Sequence, residues 1–148
     1  MKIREYVTVE EVKQVCEELG LRDWTALSNN QVTIEEARII LTALDVKDME
    51  VREEDFLQGL KVELEHGRIF PDANVTNNHP ILTGKIVLAH FKEMLDYYMR
   101  LEVVELEGDL LKAIIRKAPE KVKAVNIKLV EARRILSESE KEQLESSG

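Results

Sequence analysis

Apolar residues recur along most of the chain at intervals of three and four, and that spacing predicts helices that each bury one stripe. Thr8-Val9-Glu10-Glu11 opens the first as a capping box, with the threonine hydroxyl placed to accept an amide one turn on and Glu11 to reach back. Val12, Val15, Cys16 and Leu19 form its stripe, and Gly20 stops it. The phrase returns as Val32-Thr33-Ile34-Glu35-Glu36-Ala37, after which Leu44, Val46, Asp48 and Met49 match Leu19, Leu21, Asp23 and Trp24. Two copies of a capped helix with an apolar hook are expected, packed on each other and joined by a turn at Asn29-Asn30.

A third helix is predicted from Arg52 to His66, with Phe56, Leu57, Leu60 and Leu64 on its core face and Gly67 as its C-cap. Arg68 to Pro80 breaks the periodicity. Its Pro71, Asp72, Asn74, Asn77 and Asn78 favour turns that tie side chains to backbone, so a long ordered loop is expected. Pro80 suits the first turn of a fourth helix, with Val87, Phe91, Met94, Tyr98 and Leu101 as its stripe. Beside it runs a polar row of Ile86, His90, Glu93, Tyr97 and Arg100. Helical spacing continues through Val104, Leu111, Ile114 and Ile115, with Gly108 as a candidate break. Ala118-Pro119 starts the last helix, where Val122, Val125, Leu129, Ala132 and Leu136 step as a coiled-coil seam. A strand over Val125 to Leu129 is the competing reading, and the longer seam favours helix. Beyond Ser137 the chain is Ser, Glu, Lys and Gln, which predicts a frayed tail.

Composition narrows the function. With 29 acidic against 21 basic residues in 148, the net charge of −8 argues against general nucleic-acid binding, since a duplex repels an acidic surface. It also argues against a DNA-reading helix-turn-helix around Leu19-Gly20-Leu21. The single Cys16 lies on an apolar stripe and reads as a buried thiol, which with the lack of a signal peptide points to the cytoplasm. No run approaches the roughly 20 apolar residues of a membrane span, so no membrane partner is expected.

Candidate chemistry concentrates between Gly59 and Tyr98, which holds all three histidines. Glu63 and His66 stand one turn apart, and His90 with Glu93 repeats that pair in reverse order. Brought together, Glu63, His66, His90 and Glu93 would suit a divalent transition metal such as zinc, iron or manganese. The competing reading is structural: His66 caps its helix, and His90 joins Asp72, Asn74, Thr76, Lys85, Asp96 and Tyr97 in a polar cluster that clamps the loop. A third would make His90 a general base oriented by Glu93 or Asp96, with Lys85 or Arg68 holding an anion. Asp72, Asn74 and Thr76 alternate like a calcium loop, but Asn77 and Thr83 replace the glycine and glutamate it needs. Thr83-Gly84-Lys85 lacks the upstream glycine of a phosphate loop.

Glu63-Leu64-Glu65-His66-Gly67, Asp72 with Asn74-Val75-Thr76, Pro80, Thr83-Gly84-Lys85-Ile86, Leu88-Ala89-His90, Asp96-Tyr97-Tyr98 and Leu101 together resemble a family of small helical proteins of unknown function. The Thr-x-Glu-Glu helix before them is similar to that family's N-terminal part, and here it occurs twice. The resemblance carries no activity to transfer. Where its pattern has proline before the Asp-Tyr-Tyr, this chain has Leu95, which predicts an unbroken helix there.

These readings combine into an all-α fold, a compact bundle of five to six helices with a long ordered loop between helices three and four. Residues 1–50 form the two-copy section, 51–118 the central core, and 119–148 the last helix and its tail, as one compact unit. The function expected is a non-enzymatic binding or assembly module of the cytoplasm, self-associating through Val122, Val125, Leu129, Ala132 and Leu136. The alternative is a metal-binding helical protein using His66 and His90 with nearby carboxylates, as a metal-dependent enzyme or otherwise.

Overall fold

The computed structural model describes residues 7–146. Among these residues six α-helices follow in order: α1 Val9–Leu19, α2 Ile34–Leu44, α3 Glu53–Ile69, α4 Pro80–Glu93, α5 Tyr97–Ile115 and α6 Pro119–Ser146. The fold is all-α, and no strand occurs among the described residues. The Val125 to Leu129 segment is helical, as its longer seam predicts. The chain divides into two units, Met1–Leu95 and Asp96–Gly148.

In the first unit, Thr8 and Thr33 each cap a helix of 11 residues by accepting the amide of Glu11 and Glu36. At α2 the reciprocal bond is also made, Thr33 donating its amide to the Glu36 carboxylate at 3.0 Å. Both helices end on a left-handed residue, Gly20 at φ 69° and Asp45 at φ 48°. They are not principally packed on each other: α1 rests on the 3-10 turn Trp24–Ala26 and on α4, while α2 rests on α3 and α4. The hook after α1 makes the connection. Trp24 is fully buried and donates its indole N–H to Glu36 at 3.4 Å, and Arg22 grips the same carboxylate at 2.6 and 3.0 Å.

Ala37, Ile40, Phe56, Leu60, Leu64, Val87 and Phe91 fill the space between α2, α3 and α4. Each large apolar side chain buried there contributes about 1.5–3 kcal/mol relative to exposure. Gly84 sets the closeness of the packing, because a Cβ on it would stand 2.8 Å from Leu44 Cδ1 and 2.9 Å from Ile40 Cγ2.

α3 runs through Gly67 to Ile69 instead of stopping there. Gly67 serves space: a Cβ would collide with Asn78 Oδ1 and stand 3.1 Å from Asn74 Nδ2.

The unbroken helix expected across Leu95 is replaced by a break. α4 ends with Met94 extended at φ −163°, ψ 134°, and Asp96 starts α5. The break occurs without proline, and just beyond it the Asp96 carboxylate accepts two hydrogen bonds from Arg100 at 2.9 and 2.7 Å.

In the second unit α5 and α6 form a helical hairpin. Leu106, Val125 and Leu129 make its core, flanked by Val103, Leu110 and Ala132. Gly108 does not interrupt α5. The α6 seam is thus closed on α5 of the same chain, and Val125 and Leu129 are buried within the unit rather than offered to a second copy. The tail expected to fray beyond Ser137 is helical to Ser146. Its reach is useful: Gln143 donates to Asp96 at 3.1 Å and Glu140 pairs with Arg100 at 2.9 Å.

Candidate functional site

Heptad-like spacing on α3 puts Glu63 and His66 on one row, and α4 brings His90 and Glu93 against it. Glu63 is the hub. Its Oε1 stands 3.6 Å from His90 Nε2 and its Oε2 4.0 Å from His66 Nδ1, with the side chain only 15% exposed. Glu93 closes on the other ring nitrogen, 4.0 Å from His90 Nδ1. His66, 46% exposed, and Glu93, 66% exposed, form the rim. Two imidazoles distant in sequence are therefore brought to one carboxylate.

Metal–ligand bonds of about 2.0–2.1 Å in a tetrahedral site would draw the donor atoms to within about 3.3 Å of one another. The observed 3.6 and 4.0 Å separations use different oxygens of Glu63, and each is longer than that tetrahedral spacing. Among the described residues no group of three or more His, Cys, Asp or Glu is arranged to hold a metal. As they stand, these side chains form a polar contact cluster around Glu63.

The loop after α3 is tied by its asparagines. Asn74 donates to the Gly67 carbonyl at 3.0 Å and to Asn78 Oδ1 at 2.8 Å, and its own oxygen accepts from the Thr76 amide and hydroxyl at 3.3 Å. Asn77 and Asn78 adopt positive φ, 49° and 61°, which asparagine tolerates better than most residues. Asn77 then donates to the Val7 carbonyl at 2.6 Å, fastening the loop to the start of the chain. The preceding helix is anchored from the other side, by Asn30 to Glu65 at 3.1 Å and by Arg68 to the Ser28 carbonyl.

His79, which the sequence reading left without a role, is the N-cap of α4. Its Nδ1 accepts from the amides of Ile81 and Leu82 at 3.2 and 3.4 Å, and burial holds its pKa below the ordinary histidine value, matching a neutral acceptor. The signal for it is its place immediately before Pro80, a helix-starting proline.

Of the six residues expected in a single polar cluster, Asn74 and Thr76 hold the loop, while Asp72 and Lys85 are exposed. Asp96 and Tyr97 belong to the second unit. There burial pushes the Asp96 carboxyl up, but hydrogen bonds from Arg100 and Gln143 outweigh it and leave the pKa below the usual carboxylate range. Tyr97 meets Tyr98 edge-on, with ring centroids 5.2 Å apart.

Residues 12–107 match a family described as Protein of unknown function (DUF5661). The chain belongs to that family. No curated protein and no solved structure matches it. The DUF5661 region contains Glu63, His66, His90 and Glu93, the asparagine loop and the first part of α5, whereas α6 lies beyond it.

A surface that sequence reasoning missed lies on α5. Val104, Leu111, Ile114 and Ile115 are each more than half exposed, at 61, 59, 54 and 69%. Val104, Leu111 and Ile115 face away from the Leu106 side that packs on α6, while Ile114 lies at the edge nearer it. The signal was available: Tyr97, Leu101, Val104, Gly108, Leu111 and Ile115 step by four and three as a heptad stripe on a helix already spending another stripe on its core. At the α5–α6 turn the surface leads into an open groove of about 510 Å³ lined by Ile114, Ala118, Pro119 and Val122 with Lys117 and Lys123. No helix among the described residues is long and apolar enough to cross a membrane.

Proposed function

We propose that this protein is a non-enzymatic assembly module of the cytoplasm that docks through the outward face of α5. The observation carrying the reading is the heptad-spaced exposed stripe, Val104, Leu111 and Ile115 around Gly108. Isolated exposed leucines are ordinary, but several in register on one helix form the type of surface that partners cover. Cys16, buried as a free thiol, suits a reducing compartment. The test is a photo-crosslinking side chain in place of Leu111, in the full chain expressed in the organism that makes it. Discrete adducts on irradiation support the reading; a chain that gives none at Leu111 overturns it.

A second reading, a divalent transition metal at Glu63, is favoured by one observation: a mostly buried carboxylate with an imidazole at each oxygen. It requires the half-exposed His66 ring to turn inward and Glu93 to follow. Elemental analysis of protein grown with added zinc, iron and manganese decides it. Stoichiometric metal that His66→Ala and His90→Ala both abolish supports a bound ion, and clean protein removes it.

A further inference from the structure

The charges of the second unit are segregated along its length. Between Leu110 and Val130, at the turn end, six residues are basic (Lys112, Arg116, Lys117, Lys121, Lys123 and Lys128) and only Glu120 is acidic. The other end, 96–109 and 131–146, carries ten Asp and Glu against four Lys and Arg. The hairpin is thus positive by five at its turn and negative by six at its open end, in a chain whose total is −8.

The outward stripe of α5 spans this polarity. At 100° per residue, Val104, Gly108, Leu111 and Ile115 centre about 160° from the Leu106 face, so the helix presents a second seam opposite its first. Nothing stands within 4 Å of a Cβ built on Gly108, so the middle of that seam is open to close approach. Glu105 and Lys112 occupy equivalent flanking positions, one heptad apart. Lys112 does pair with Asp109 at 3.0 Å, but both side chains are at least half exposed, and such a pair is worth little.

We infer that the outward face of α5 binds a second copy of this chain in antiparallel alignment, with Val104 beside Ile115 of the other copy and Glu105 beside its Lys112. The inference rests on the assembly reading above and names its partner. Charge selects the orientation. Parallel copies would set the six turn-end cations against six more, whereas antiparallel copies set each positive end beside a negative one. The two-fold axis then passes between Gly108 and Leu111, and each flanking Glu–Lys contact forms twice.

Sedimentation velocity of the purified full chain over a range of concentration and salt tests this. A monomer–dimer equilibrium is expected, weakened by salt, and weakened at least about tenfold by Leu111→Glu with helical circular dichroism unchanged. Glu105→Lys and Lys112→Glu should each lose dimer alone and recover it when mixed, because only the mixed pair restores both contacts. For orientation, Val104→Cys mixed with Ile115→Cys should give the crossed disulfide in preference to Val104→Cys with itself. A chain that stays monomeric at every concentration, or a dimer indifferent to these variants, overturns the inference. The Leu111 crosslink separates the two claims. An adduct at twice the chain mass supports both, adducts only at other masses keep assembly and remove the second copy, and none removes both. Flotation with anionic vesicles that Leu111→Glu abolishes, without dimer, assigns the face to a lipid surface and overturns the inference as well.

Discussion

Gln143 donates to the carboxylate of Asp96 at 3.1 Å, joining the end of α6 to the start of α5. Arg100 holds the same carboxylate in two bonds and is itself held by Glu140. Asp96 is 3% exposed, so these partners are what make its charge tolerable. Arg100→Ala is expected to destabilise the hairpin, by leaving a buried carboxylate short of its main partner. Ending the chain after Ser137 should cost less, since Arg100 remains on Asp96 while Gln143 and the exposed Glu140 are lost. Urea unfolding of the two variants beside the parent checks both, and a truncation indistinguishable from the parent would show that the tail contributes nothing.

Gly67→Ala should destabilise the first unit by about 1–3 kcal/mol, although glycine to alanine within a helix ordinarily stabilises. The added methyl enters the space of Asn78 Oδ1 and crowds Asn74, so the loop must move. Hydrogen exchange would show where: the amides of Thr76 and His79 should lose protection before those in the middle of α3.

Gly84 and Gly108 predict opposite outcomes for the same change. At Gly84 the methyl would press on Leu44 and Ile40 and cost about 1–3 kcal/mol. At Gly108 it meets nothing within 4 Å, and the gain in helix propensity should stabilise the isolated chain by about 0.5–1 kcal/mol. Thermal melts at high dilution, where self-association is absent, should move in opposite directions.

Acid should unfold the first unit through Glu36. Burial raises its pKa, but hydrogen bonds from Arg22, the Thr33 amide and Trp24 more than offset that, so the folded value lies below the unfolded value of about 4.3. The carboxylate therefore contributes stability that is complete above the unfolded pKa and disappears as pH falls through the lowered folded one. Glu36→Gln should lower stability at neutral pH by about 1–3 kcal/mol and flatten its decline below about pH 4.5. If urea midpoints of parent and variant fall in parallel with acid, Glu36 is not the responsible group.

What the sequence made legible was local. The Thr33–Glu36 capping box lies within one helical turn, so residue types at that spacing suffice to read it. Pro80 at the start of α4 is read the same way. Gly67 misleads because a glycine needed for space looks the same as one needed for a left-handed cap. The break before Asp96 is invisible in the periodicity, and the glutamine that binds Asp96 lies 47 residues away. Composition alone made the tail look frayed, whereas Arg134 with Glu138 and Lys141 with Glu145 are helical pairs that support it. The α6 seam was readable, but not that α5 would close it, nor that α5 would keep a second stripe outside. The approach of His66 and His90 to Glu63 depends on how α3 meets α4, which no local pattern encodes.

The glycine at 84 has a mechanical consequence beyond its packing. Because α4 lies against Ile40 and Leu44 without room for one methyl group, it can neither roll about its own axis nor slide by a fraction of a turn without collision. The backbone position from which His90 projects is therefore held by the frame. Removing the Glu63 carboxylate should leave the α4 backbone where it is, so a ligand arriving there would meet a helix of fixed bearing rather than a hinge.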